Sequence, residues 1–145
     1  MDATKLNDYG ALLLRVSVGV VLIAHSLYLK LVVFTLPGTA QFFESIGLWG
    51  WLAYAVFIIE GITGVMMVLG YQVRVAALVV IPVLIGATWA HIGNGWLFTA
   101  EGGGWEYPLF LTATAGCVAL FGEGAHALDS NRALGNARVL RNNAS

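Results

Sequence analysis

Four long apolar runs, separated by short polar or glycine-rich stretches, dominate this chain. The first spans about Ala11 to Leu29 and extends toward Leu36 before Pro37. The second spans about Trp51 to Leu69 and stops at Gly70, and the third spans about Val75 to Ile92. The fourth spans about Tyr107 to Phe121, stops at Gly122 and recruits Trp105 and Glu106 into its first turn. Each is close to the roughly 20 residues with which a helix crosses about 30 Å of hydrocarbon. An open sheet cannot satisfy its backbone in lipid, so the pattern predicts helices and no strands. The predicted architecture is an all-α integral membrane four-helix bundle, up-down antiparallel, with spans at about 11–31, 51–69, 75–92 and 105–121. That domain takes residues 1–129, and a polar basic tail takes 130–145.

The connectors refine the topology. After Pro37-Gly38, Thr39 is a candidate N-cap, and Phe42, Phe43 and Ile46 fall on one helical face. This predicts a short interfacial helix ended by Gly47. Only Gly70 to Arg74 joins the second and third spans, which makes them a tight antiparallel hairpin, whereas a glycine-rich loop from Gly93 to Gly104 joins the third and fourth. The first run is not read as a signal peptide: it is too long for an h-region, holds Arg15, and lacks a small-residue cleavage site before Lys30.

Composition points the same way. Hydrophobic residues make up 59% of the 145 positions and charged residues 10%, against about 25% charged in an ordinary soluble domain. Mean hydropathy is +0.80, more apolar surface than so small a chain can hide from water. A net charge of −1 gives no footprint for nucleic acid, and the one cysteine, Cys117, allows neither an internal disulfide nor a paired-thiol motif. Lys5, Arg74, Arg132, Arg138 and Arg141 fall on one side of the predicted membrane, and Lys30, Glu44 and Glu101 on the other. The positive-inside rule then puts both termini in the cytoplasm of a multi-pass plasma-membrane protein. Tyr28, Trp49, Trp51, Trp96, Trp105 and Tyr107 gather at the predicted outer interface, where aromatic rings serve as anchors.

Ionisable residues inside the apolar runs carry the chemistry. A charge near the bilayer centre costs on the order of 2.5–3.5 kcal/mol on insertion scales, so such residues face the bundle interior with a partner. Arg15, His25, Glu60, His91 and Glu106 are the residues in question, with Lys30 at the outer end of the first span. At about 1.5 Å rise per residue, Glu60 lies roughly 13 Å below the outer end of its helix and His25 roughly 6 Å below its own. Arg15 and His25 are then both within side-chain reach of Glu60, and the polar groups are expected to converge as a cluster in the outer half of the bundle. Arg15, Gly19, Ser26 and Lys30 share a helical stripe bordered by His25, while Glu60, Gly64 and Met67 share another. Gly61 and Gly64 allow close helix approach, and Pro82 frees the carbonyl of Leu78. Each residue also has a plain role: Arg15 and Glu60 as an ion pair that fixes packing, Glu106 as a carboxylate at a helix start, the histidines as donors to nearby backbone. His126 reads as solvated, Cys117 as a small packing residue and Arg74 as an interfacial anchor.

Several of these residues, in order, resemble the DoxX family of small four-helix membrane proteins. They are Leu14-Arg15-Val16 with Gly19, His25 and Lys30-Leu31, and then the run Gln41-Phe42-Phe43-Glu44-Ser45-Ile46-Gly47-Leu48. Glu60-Gly61 with Gly64 and Leu69-Gly70, Arg74, His91 before Gly95, Glu106-Tyr107-Pro108, and Gly122 and Gly124 before Leu128-Asp129 complete the series. Ser26 and Trp49 depart from residues common in the family, glycine and proline respectively. The resemblance implies a polytopic plasma-membrane protein. Some members of the family look like subunits of thiosulfate:quinone oxidoreductase, others sit beside oxidative-stress proteins and others have no known activity, so the shared fold does not fix a function.

Three functions fit this pattern. In the first, the chain is a quinone-interacting redox subunit: His25 and His91, with Arg15 and Lys30, bind the quinone or another small molecule, Glu60 and Glu106 act catalytically by carrying protons, and a partner protein supplies electrons. In the second, His25, His91, Glu60 and Glu106 hold haem b or a divalent metal, although their spacing matches no ligand motif. In the third, the chain is a scaffold or assembly factor whose polar interior only specifies packing. Lipid, a redox partner and further copies of the chain are the partners these readings involve.

Overall fold

The computed structural model describes residues 2–129, so the basic tail and its Arg132, Arg138 and Arg141 lie outside the described residues. Every element is helical. Helix α1 runs Ala3–Ile23 and continues unbroken through a wider, π-wound stretch, Ala24–Val33. Helix α2 is Leu36–Ser45, α3 is Trp51–Leu69, and α4 is Val73–His91, which tightens into a single 3-10 turn at Ile92–Asn94. Helix α5 is Glu106–Phe121. Three stretches, Ala3–Val33, Trp51–Leu69 and Val73–Asn94, are long and apolar enough to cross a membrane. The fourth, α5, is apolar but only 16 residues long, about 24 Å at the helical rise.

Four of the helices form a ring: α1 packs on α3 and α5, and α4 packs on α3 and α5. The short α2 lies against α3 and the π-wound end of α1. Val18 and Leu22, Met67, Val80 and Leu84, and Leu111 and Val118 fill the centre. The outside is just as apolar, with Leu13, Val20, Ile62, Leu78, Ile85 and Leu120 exposed. Such a surface suits lipid, but lipid removes the hydrophobic drive between helices, so contact depends on close packing and interior polar bonds. The α1–α3 seam uses both. A methyl group added at Gly19 would lie 2.8 Å from the carbonyl oxygen of Gly64, and one at Gly64 would lie 2.9 Å from that of Gly19. The atoms in the way are backbone, so neither position has room for a side chain.

Two boundaries differ from the sequence reading. Helix α1 begins at Ala3 rather than near Ala11, because the polar residues before the apolar run still wind as helix beyond it. Helix α2 is capped by Thr35, not Thr39: the Thr35 hydroxyl accepts the Gly38 N–H at 3.2 Å, and the Thr39 hydroxyl donates back to the Thr35 carbonyl at 2.9 Å. Pro37 explains the shift, since it fits the first turn of a helix, where its missing N–H costs no bond. The cap holds Thr35 at φ 61°, an uncommon conformation for a β-branched residue.

The start of α1, the α3–α4 turn and the segment after α5 meet at one end of the bundle. There Ala125 N–H donates to the Asp8 carbonyl at 3.0 Å, and Gln72 N–H to the Asp129 carboxylate at 2.6 Å. The other end holds α2 and the loop between Asn94 and Glu106.

Candidate functional site

The predicted stripe on α1 meets α3 along its whole length, but its charged residues do different things at the two ends. Arg15 is only 1% exposed and binds carbonyl oxygens alone. Its Nη1 donates to Met67 at 2.6 Å and Val68 at 2.8 Å, its Nε to Glu123 at 2.7 Å, and its Nη2 to Ala125 at 3.0 Å. Met67 and Val68 lie in the last turn of α3, where carbonyls lack partners within the helix and a cation is favoured. Arg15 therefore ties α1, α3 and the segment after α5 together. It does not pair with Glu60, which corrects its placement with that residue in an outer cluster: the terminal carbonyls are its nearest acceptors.

Glu60 pairs with Lys30 instead. Lys30 Nζ lies 2.7 Å from Glu60 Oε2, with the side chains 15% and 7% exposed. Just below, Ser26 Oγ donates to the Phe57 carbonyl at 2.9 Å, and Gly61 leaves the space that the hydroxyl needs. Ser26, Lys30 and His25 all belong to the π-wound stretch of α1, a winding that is rare and recurs at functional positions. While Ser26 and Lys30 turn to α3, His25 turns to α5: its ring stacks on Tyr107 with centroids 6.0 Å apart and planes at 16°.

His91 and Glu106 belong to the loop end. The His91 ring borders Gly103, whose φ is +78°, and Asn94 Nδ2 pins the same turn by donating to the carbonyls of Gly102 at 3.1 Å and Gly103 at 2.9 Å. Glu106 Oε1 accepts the Phe98 N–H at 2.8 Å, so this carboxylate fastens the loop instead of capping its own helix. Trp96 and Trp105 meet edge to face, with centroids 4.5 Å apart. Gly104 is buried, and any side chain there would collide with the backbone of Trp96 and Leu97.

Between this loop and α5 runs an open groove of about 520 Å³, lined by Trp96, Phe98, Glu106, Tyr107, Leu109, Phe110 and Ala113. Its wall is almost wholly apolar and aromatic, with Glu106 as its one carboxylate. The alignment of Glu106, Phe110 and Ala113 on one face of α5 was readable from their spacing; the loop wall of Trp96 and Phe98 was not, because no periodicity places a loop. Among the described residues, no three His, Cys, Asp or Glu side chains gather closely enough to hold a metal ion. His25, His91, Glu60 and Glu106 therefore do not assemble into the four-ligand set considered above. Cys117 is exposed rather than packed, and His126 is exposed beside the ring of Tyr9.

These features define a small polytopic helical membrane protein with a polar seam inside and an aromatic groove at one end. The pattern of the DoxX family matches residues 10–93, more than half of the chain, and the protein belongs to that family. A Bacillus subtilis (strain 168) protein named "Putative oxidoreductase CatD" is 39% identical over 83 residues, 57% of this chain and 60% of that protein. No solved structure matches. The family match takes in Arg15, His25, Lys30, Glu60 and His91 but ends before the loop and α5, so every residue lining the groove, Glu106 included, lies beyond it.

Proposed function

We propose that this protein is a quinone-interacting subunit of a membrane redox complex, seated in the plasma membrane with both termini in the cytoplasm. The groove supports this reading. A quinone head is flat and apolar with two polar oxygens, and it suits aromatic walls that carry one or two polar groups. Trp96, Phe98 and Tyr107 supply the walls, and the Glu106 carboxylate and the Tyr107 hydroxyl supply the polar groups. The tail leaves toward lipid past Leu109, Phe110 and Ala113. Glu106 handles the proton at the groove with His25 close behind Tyr107, and the Lys30–Glu60 pair holds the π-wound stretch that presents His25. Electrons come from a partner protein. The B. subtilis relative's name agrees with a redox role. Lys5 and Arg74, at the end opposite the groove, support the orientation.

One observation favours a second reading, a membrane scaffold. Among the described residues, every buried side-chain nitrogen and oxygen has a hydrogen-bond partner, as expected of polar groups that serve packing alone.

Mass spectrometry of quinone extracted from the protein purified in mild detergent separates the two readings. The parent is expected to retain quinone near stoichiometrically. Ala113→Trp, at an exposed groove position, is expected to lose it while staying folded. No quinone above the level of co-purified lipid, or equal retention by Ala113→Trp, would favour the scaffold.

A further inference from the structure

We infer that the groove takes the reduced hydroquinone in preference to the oxidised quinone, an inference that rests on the quinone reading above. Three side chains at this end of the bundle offer lone pairs, and of these Glu106 lines the groove itself while His25 and His91 lie outside its wall. His25 Nδ1 lies 2.9 Å from the Val21 carbonyl oxygen, and His91 Nδ1 lies 2.8 Å from that of Ala87. A carbonyl only accepts, so each Nδ1 carries the hydrogen, and in the neutral ring each Nε2 presents a lone pair. Glu106, as a carboxylate, is acceptor-only, and just one of its oxygens takes the Phe98 N–H. The donors in the groove wall are the Trp96 indole N–H and the Tyr107 hydroxyl, which can also accept.

A quinone oxygen accepts and cannot donate. Beside Glu106 it sets lone pairs against lone pairs in an apolar groove. A hydroquinone hydroxyl donates and accepts, so it can bond to the Glu106 carboxylate while receiving the Trp96 N–H. Where a bound head group covers the Glu106 oxygen that Phe98 leaves free, the ligand that can donate to that oxygen is favoured over the one that cannot. By linkage, tighter binding of the reduced form raises the potential of the bound couple, by about 30 mV for each tenfold in affinity.

The test measures the affinity of the purified full chain, immobilised in detergent, for decylubiquinone and for its hydroquinone under anaerobic conditions. The hydroquinone is expected to bind at least about tenfold more tightly, equivalent to about 1.4 kcal/mol. Glu106→Gln keeps an oxygen for the Phe98 N–H and adds a donor, so its two affinities are expected to lie close together. Equal affinities in the parent, or tighter binding of the quinone, would overturn the inference and leave the quinone site standing. Binding of neither form would overturn the quinone reading as well. A folded Glu106→Gln protein with the full preference would overturn the role of Glu106. The parent comparison decides the main point even if that variant does not fold.

Discussion

Arg15→Met is expected to be the most damaging single substitution in the chain, costing at least about 3 kcal/mol of stability, because hydrogen bonds to a charged group contribute roughly 1.5–3 kcal/mol each. It removes the donors to Met67, Val68, Glu123 and Ala125, and of these carbonyls that of Met67 keeps the Gly70 N–H at 3.2 Å. The bundle loses the contact that joins α1, the end of α3 and the segment after α5. Arg15→Lys is expected to recover only part of the loss, since an ammonium on a single stem cannot span acceptors arranged for a guanidinium fork. Denaturant unfolding in a fixed detergent measures both. Parental stability in Arg15→Met would show that the guanidinium is not the tie described here.

Lys30→Met has the second-largest expected effect, about 3–5 kcal/mol, the range measured when one partner of a buried ion pair is removed. The cause is the Glu60 carboxylate, left at 5% exposure without its cation. Replacing both partners, Lys30→Met with Glu60→Met, removes the stranded charge and is expected to restore most of the stability, since well-packed apolar pairs often match buried ion pairs. The double-mutant cycle should therefore give a large favourable coupling between the two sites. Additive costs would mean that Lys30 and Glu60 do not hold each other in the folded protein. The same cycle bears on function: if the double variant is stable but no longer retains quinone, the pair does more than fix packing.

Much of the fold could be read from the sequence because lipid imposes simple rules. The helix lengths follow from the thickness that a span must cover, and Gly70 and Gly122, at φ +71° and +81°, mark the ends of α3 and α5. The face of α1 was legible too. Spacing put Arg15, Gly19, Ser26 and Lys30 on one stripe, and each of them meets α3. Partner identity was less legible, because depth along a helix is known only to within the length of a side chain. Spacing left Arg15 and His25 both within reach of Glu60; Lys30 pairs with it instead, while the end of α3 and the segment after α5 offer Arg15 a complete set of carbonyls. The π-wound stretch left no mark in the hydrophobic pattern, yet it lets Ser26 face α3 while the adjacent His25 faces α5. The groove was half legible: Glu106, Phe110 and Ala113 align by helical period, whereas Trp96 and Phe98 reach it through a loop.

On the function proposed above, quinone binds in the groove between the loop and α5. Photoaffinity labelling of the parent protein with an azido-quinone, followed by peptide mapping, tests it most directly. Label is expected in residues 94–121, on the loop and α5, and excess unlabelled quinone is expected to displace it. Displaceable label confined to the α1–α3 seam, around Ser26 and Glu60, would contradict it and move the site to the buried ion pair.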